Sequence, residues 1–193
     1  MCLLVGTKEN YISFYDYRTL KFIKHIGTKN GINEFAWDPS GSVLFLTTEL
    51  GSICVMNGMK LHNAPLVHLE AHTATSHCIA IDPLNRYFAT GGADALICLW
   101  DLYEMACIRT FSSLEYKVGQ ISFSHDGLLL ATASKDEKVA LFNVQTSDLV
   151  FEVKCKSPTH TIAWNPKKYV LAFANEEYSK SSDEGVVHML KLV

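Results

Sequence analysis

One turn recurs along the chain at nearly fixed spacing. It reads Phe35-Ala36-Trp37-Asp38-Pro39-Ser40-Gly41, then Ile79-Ala80-Ile81-Asp82-Pro83-Leu84-Asn85, then Ile121-Ser122-Phe123-Ser124-His125-Asp126-Gly127, then Ile162-Ala163-Trp164-Asn165-Pro166-Lys167-Lys168. The anchors Trp37, Ile81, Phe123 and Trp164 lie 44, 42 and 41 residues apart. A unit of this length built from short apolar runs cannot bury its own faces and has to stack on copies of itself. That requirement points to a radial β architecture, and to a binding platform before an enzyme.

Each anchor is expected to end a strand, with the following Asp or Asn accepting backbone N–H groups and the Pro or Gly fixing the turn. A second apolar run follows each turn: Val43 to Thr48, Tyr87 to Gly92, Leu128 to Ser134 and Tyr169 to Asn175. A third run alternates: Tyr11 to Asp16, Ile53 to Asn57, Ile97 to Asp101, Val139 to Asn143 and Val186 to Met189. A fourth, shorter run covers Phe22 to Ile26, Leu66 to Leu69, Ala106 to Phe111 and Leu149 to Val153. Runs of this length bounded by Gly, Pro, Asn and Asp are strands, and no stretch carries a sustained helical period. In the third run Ile97 and Leu99 face one way while Cys98 and Trp100 face the other. Two apolar faces per sheet fit a blade packed between neighbouring blades. A plain β-sandwich is the competing architecture, and the repeated turn code argues against it.

The composition bounds the function. The chain has 193 residues, 48% of them hydrophobic, with a net charge of −3. That balance implies neither a duplex-binding surface nor a preference for anionic membranes. No apolar run approaches the roughly 20 residues of a membrane span, and Met1 to Asn10 lacks the basic start and cleavage site of a secretory signal. The six cysteines, Cys2, Cys54, Cys78, Cys98, Cys107 and Cys155, include no CxxC pair. They read as reduced, mostly core residues of a cytosolic or nuclear protein. The eight histidines are scattered without ligand spacing, so no metal, cofactor or small-molecule substrate is expected.

The units resemble WD40 repeats. Ala71-His72 stands where that family has Gly-His, and Trp100-Asp101 is the literal Trp-Asp pair. The resemblance implies a partial WD40-type β-propeller, all-β, and a structural hydrogen-bond network of His72, Thr90, Asp94 and Trp100. A buried imidazole and a buried indole each need a partner. A catalytic pairing of His72 and Asp94 with Ser76 is the rival reading, and no nucleophile elbow or Gly-rich loop accompanies it. Other units depart from the pattern: one keeps Thr132 and Asp136 but has Phe142 in place of Trp, another has Leu50 at the turn-Asp position, and the last has Asp183 available after an insertion.

The strand count is 18, divided into units of about 1–30, 31–70, 71–112, 113–156 and 157–193. That is four to five blades' worth of sheet in one domain, against about seven blades in the complete fold that the resemblance implies. The first unit lacks an opening strand and the last a closing one, so an N-terminally truncated or fragmentary chain, or an open partial propeller, is expected, with aggregation-prone end strands.

Longer stretches carry a narrower resemblance. Tyr87 to Leu96 with Leu99-Trp100-Asp101 and Cys107 to Phe111, Ile121 to Asp136, and Cys155 to Thr159 with Ala163 to Lys167 and Leu171 to Ala174 look like the family of WD-repeat subunits of the THO complex. That family implies a non-catalytic scaffold in a nuclear assembly that couples transcription and mRNA processing, including splicing, to mRNA export, held by a large helical scaffold subunit. A ubiquitin-ligase or histone-reading adaptor is the alternative. The polar insertion after Asn175, with Glu176, Glu177, Tyr178, Lys180 and Asp183, is a candidate partner loop. Lys21, Lys24, Lys29, Lys154, Lys156, Lys167 and Lys168 read as solvated surface charge, with weak or indirect RNA contact as the alternative. Tyr11, Tyr15 and Tyr17 fit either base stacking or packing between blades.

Overall fold

The computed structural model describes residues 2–7, 10–28, 30–58, 67–175 and 186–192. Five antiparallel sheets follow one another along the chain. The first holds β1 (Cys2–Gly6), β2 (Tyr11–Asp16) and β3 (Phe22–Gly27). The second holds β4 (Ile32–Trp37), β5 (Val43–Thr48), β6 (Ser52–Asn57) and β7 (Val67–Glu70). The third holds β8 (Ser76–Ile81), β9 (Tyr87–Gly92), β10 (Ile97–Asp101) and β11 (Cys107–Phe111). The fourth holds β12 (Val118–Phe123), β13 (Leu129–Ser134), β14 (Lys138–Asn143) and β15 (Leu149–Lys154). The fifth holds β16 (Thr159–Trp164), β17 (Val170–Asn175) and β18 (Val186–Lys191). Each sheet is a meander with neighbouring strands paired in chain order.

The four anchors close β4, β8, β12 and β16. The fourth strands are not shorter as a class: β3 and β15 have six residues each, and only β7 has four. No described helix is long and apolar enough to cross a membrane.

The period-2 alternation assigns each side chain to one of two neighbours. Ile97 and Leu99 pack with Phe123, Leu130 and Phe142 of the fourth sheet. Cys98 and Trp100 pack with Phe45, Ile53 and Val55 of the second. The same division joins first to second sheet through Leu4, Phe14, Leu44 and Met56, and fourth to fifth through Ala131, Leu141, Trp164 and Phe173. Burying a side chain such as Phe88 or Leu99 is worth about 1.5–3 kcal/mol.

Polar side chains latch the innermost strands together. Glu34 Oε2 accepts the Ile79 N–H at 2.8 Å, and Gln120 Oε1 accepts the Ile162 N–H at 2.9 Å. These two residues occupy the same register, three before their anchors. The corners are linked as well. Arg86 binds Asp82 and donates to the carbonyls of Asp126 and Gly127 at 3.2 Å, and the Tyr169 hydroxyl donates to Asp126. Gly127 has φ +65°, and a Cβ there would stand 2.0 Å from Asp82 Oδ1, so this corner requires glycine.

A register shift recurs in every innermost strand, at Ile32/Phe35, Ser76/Cys78, Val118/Gln120 and Thr159/Thr161. Repeated bulges of this kind increase the local twist of each sheet.

Candidate interaction site and the network that supports it

The third sheet holds a buried polar cluster. His72, from the β7–β8 connection, places Nδ1 3.0 Å from Asp94 Oδ1 and Nε2 3.0 Å from Thr90 Oγ1. Trp100 Nε1 donates to the same Thr90 hydroxyl at 3.2 Å. One direction of donation satisfies all four residues: indole to threonine, threonine to imidazole Nε2, and imidazole Nδ1–H to carboxylate. Asp94 also accepts the N–H groups of Thr73 and Leu96, closing the β9–β10 turn. Gly92 leaves room for the ring: a Cβ there would lie 2.4 Å from His72 Nδ1. Trp100 stacks on Phe88 with centroids 5.6 Å apart and planes at 6°.

This arrangement has no spare valence for chemistry. Both imidazole nitrogens are engaged, so His72 offers no base to Ser76. The Ser76 hydroxyl is itself buried without a hydrogen-bond partner. Among the described residues no group of three or more His, Cys, Asp or Glu side chains is placed to hold a metal ion. All six cysteines are free, with Cys2 and Cys107 exposed rather than in the core. Burial pushes the Cys98 thiol up to about 12, so it stays protonated and inert.

The other sheets hold only parts of the cluster. In the fourth, Thr132 Oγ1 reaches the Ala140 carbonyl at 3.4 Å, Asp136 accepts the N–H groups of Glu115 and Tyr116, and Phe142 packs edge-on to Phe111. In the second, Leu50 is exposed.

The surfaces available to a partner lie elsewhere. The candidate loop residues Glu176, Glu177, Tyr178, Lys180 and Asp183 lie outside the described residues, as does Lys29. Lys21, Lys154, Lys156, Lys167 and Lys168 are exposed, while Lys24 lies over the Phe14 ring at 5.3 Å. Tyr11 and Tyr15 sit on the outward face of the first sheet, in edge contact with His25 and Phe22, and Tyr17 is exposed in the turn after β2. Leu3, Val5 and Phe22 are exposed on that face too. The fifth sheet turns outward Ala163, Ala172 and Met189 in one cross-strand row, and Thr161, Ala174 and Val187 in the next. Val187 and Met189 are 68% and 73% exposed. Among the described residues no buried cluster joins the first sheet to the fifth.

The sequence pattern pointed to the hydrogen-bond residues but not to Glu34, Gln120 or Arg86. Their partners are backbone groups about forty residues away, which no local motif reveals.

Comparison with known proteins fits this architecture. The WD domain, G-beta repeat family matches residues 63–101, and the Anaphase-promoting complex subunit 4 WD40 domain family matches residues 108–167. THO complex subunit 3 of Arabidopsis thaliana is 41% identical over 184 residues, covering 94% of this chain and 58% of that protein. WD repeat-containing protein AAC3 of Dictyostelium discoideum is 28% identical over 95% of this chain and 39% of its own length. Mitotic checkpoint protein bub-3 of Caenorhabditis elegans is 29% identical over 68% of this chain and 43% of its own length. The chain thus spans roughly two to three fifths of these curated relatives.

Proposed function

The chain belongs to the WD40-repeat family, and from that premise we propose that it is a non-catalytic interaction subunit of the THO complex. Its role is to present a rigid partial propeller to protein partners in the assembly that couples transcription and mRNA processing to nuclear mRNA export. The observation that carries this reading is the 41% identity to THO complex subunit 3, sustained over 94% of the chain. A match of that extent spans the segments between repeats as well as the blades. The interior supports a scaffold: the His72–Thr90–Asp94–Trp100 network and the Glu34 and Gln120 latches hold strands and sheets together, and the outward apolar faces and loops are left for partners. The expected partner is a large helical scaffold subunit, and the expected location is the nucleus. Exposed lysines such as Lys154, Lys156, Lys167 and Lys168 are solvated surface charge in this reading, with weak or indirect RNA contact as the alternative.

Affinity purification of the tagged chain from nuclear extract tests this. Recovery of a large helical subunit together with mRNA-processing factors is the expected result. Recovery of a cullin adaptor or of nucleosomes in their place would overturn it in favour of an adaptor role.

A further inference from the structure

Between the end of the first sheet and the second sheet lies a cavity near the position that His72 has beside the third. Strand register makes the correspondence explicit. Leu46 is paired with Phe35 and Cys54, as Thr90 is with Ile79 and Cys98. Met56 pairs with Leu44, as Trp100 pairs with Phe88. Thr28 precedes Trp37 by nine residues, as His72 precedes Ile81. The imidazole of the third sheet is therefore replaced by a threonine, while Met56, at the register of the indole, is buried in the core. A cavity of about 320 Å³ stands beside Thr28, lined by Gly27, Thr28, Asn30, Ile32, Leu46, Thr48, Cys54 and His68. That volume is at the small end of ligand sites, ~300–1,000 Å³.

The walls are held by bonds that do not depend on an occupant. Thr28 Oγ1 is within hydrogen-bond distance of the carbonyls of Asn10 and Asn30, at 3.0 and 2.9 Å. Thr48, at the register of Gly92, takes part of the space the imidazole has in the third sheet, and its hydroxyl is fixed to Ser52 at 2.9 Å. One wall presents a polar pair, Cys54 Sγ and His68 Nδ1, 3.2 Å apart. Ile32 supplies apolar surface, and Leu46 is fully buried in the wall. The Thr28 and Thr48 hydroxyls are already bonded, so the Cys54–His68 pair is the polar feature that favours a flat ring with a ring nitrogen over a purely hydrocarbon ring.

We propose that this cavity binds a planar nitrogen heteroaromatic ring, packed against Ile32 with its nitrogen toward the Cys54–His68 pair. Such a ring comes either as a free small molecule or as a histidine or tryptophan side chain of a polypeptide, and the shared chemistry is the ring itself. Cys54 acts as a neutral thiol here. Burial raises its pKa, so the contact is a hydrogen bond and no covalent step is involved.

The test uses the full chain at pH 8, titrated with imidazole, indole and benzene, and separately with the N-acetyl amides of histidine and tryptophan. Backbone NMR shifts report the site, and thermal melting reports the linkage. The nitrogen rings are expected to shift Gly27, Thr28 and Cys54 and to raise the melting temperature, with benzene about tenfold weaker. His68→Ala, at an exposed position, is expected to erase the preference over benzene while keeping ring binding. Leu46→Phe is expected to fill the void and weaken every ring. Binding of the blocked amides assigns the site to a polypeptide side chain, and binding of free rings alone assigns it to a small molecule. Shifts confined to other sheets, no saturable shift up to the solubility limit, or unchanged selectivity in His68→Ala would overturn the proposal.

Discussion

Thr90 is fully buried and its one hydroxyl serves both the indole and the imidazole. Thr90→Val keeps the shape and strands two ring nitrogens, so a loss of about 2–4 kcal/mol is expected by urea denaturation. The matching change Thr132→Val removes only a long bond to a carbonyl and is expected to cost about 1 kcal/mol or less. Equal losses at the two sites would contradict the view that the network pins the third sheet. Glu34 gives a different signature. Burial raises its pKa above the ordinary carboxylate value of 4.5 while its carboxylate accepts the Ile79 N–H. The native state then holds its proton to higher pH than the unfolded chain, so this side chain contributes most below about pH 4.5 and progressively less as pH rises through the folded value. Glu34→Gln keeps an acceptor for Ile79 and removes the ionisation. The variant is expected to be more stable than the parent at pH 7, with the advantage shrinking toward pH 4 in a series of denaturation curves. His72, Thr90, Asp94 and Trp100 were singled out in the sequence by the resemblance to WD40 repeats, whose motif carries those residue types at those positions. Glu34 looked like any surface glutamate, since only packing of the third sheet against the second brings a backbone N–H to it.

At the scale of the strand and turn, most of the fold was legible, because alternation and turn residues are local signals. The Asx turns after the third strands show what was not. Asp16, Asp101 and Asn143 each accept the N–H groups two and three residues on. Each turn then ends on a left-handed residue that is not glycine: Leu20 at φ +54°, Met105 at +52° and Ser147 at +66°. Side chains in that region are strained, and glycine or asparagine would have flagged it. Leu20 is exposed, so Leu20→Gly relieves the strain without opening a cavity. A net gain of a few tenths to about 1 kcal/mol is expected, after the entropy cost of glycine, and a shift in the urea midpoint measures it. The paired bulges next to these turns, at Phe14/Tyr15, Leu99/Trp100 and Leu141/Phe142, were equally hidden. A bulge changes which residues face which without changing the apolar count.

For the molecule as a whole, the number of sheets could be counted from the sequence, but the side chains that latch one sheet to the next could not. The outward faces of the first and fifth sheets match, by register, the two sides of the interfaces already formed between neighbours. Val187 and Met189 stand where Ile97 and Leu99 stand in the third sheet, and Tyr15 stands where Trp100 does. Exposed sheet faces of this kind favour association. The isolated chain is expected to form concentration-dependent oligomers in analytical ultracentrifugation, and Val187→Lys with Met189→Lys is expected to shift them toward monomer. Oligomers unchanged by the double substitution would place the contact elsewhere.

The ring cluster of the third sheet also sets an order of events when the molecule is loosened. Because the buried clusters of the described residues join each sheet to its neighbours in the chain, opening can advance inward from either side, one blade at a time. The strands around Thr90, clamped from within and covered on both faces, are then the last refuge of order. Under deuterium exchange their amides hold out longest, so a partner that grips this part of the chain would find it already rigid while the flanks still breathe.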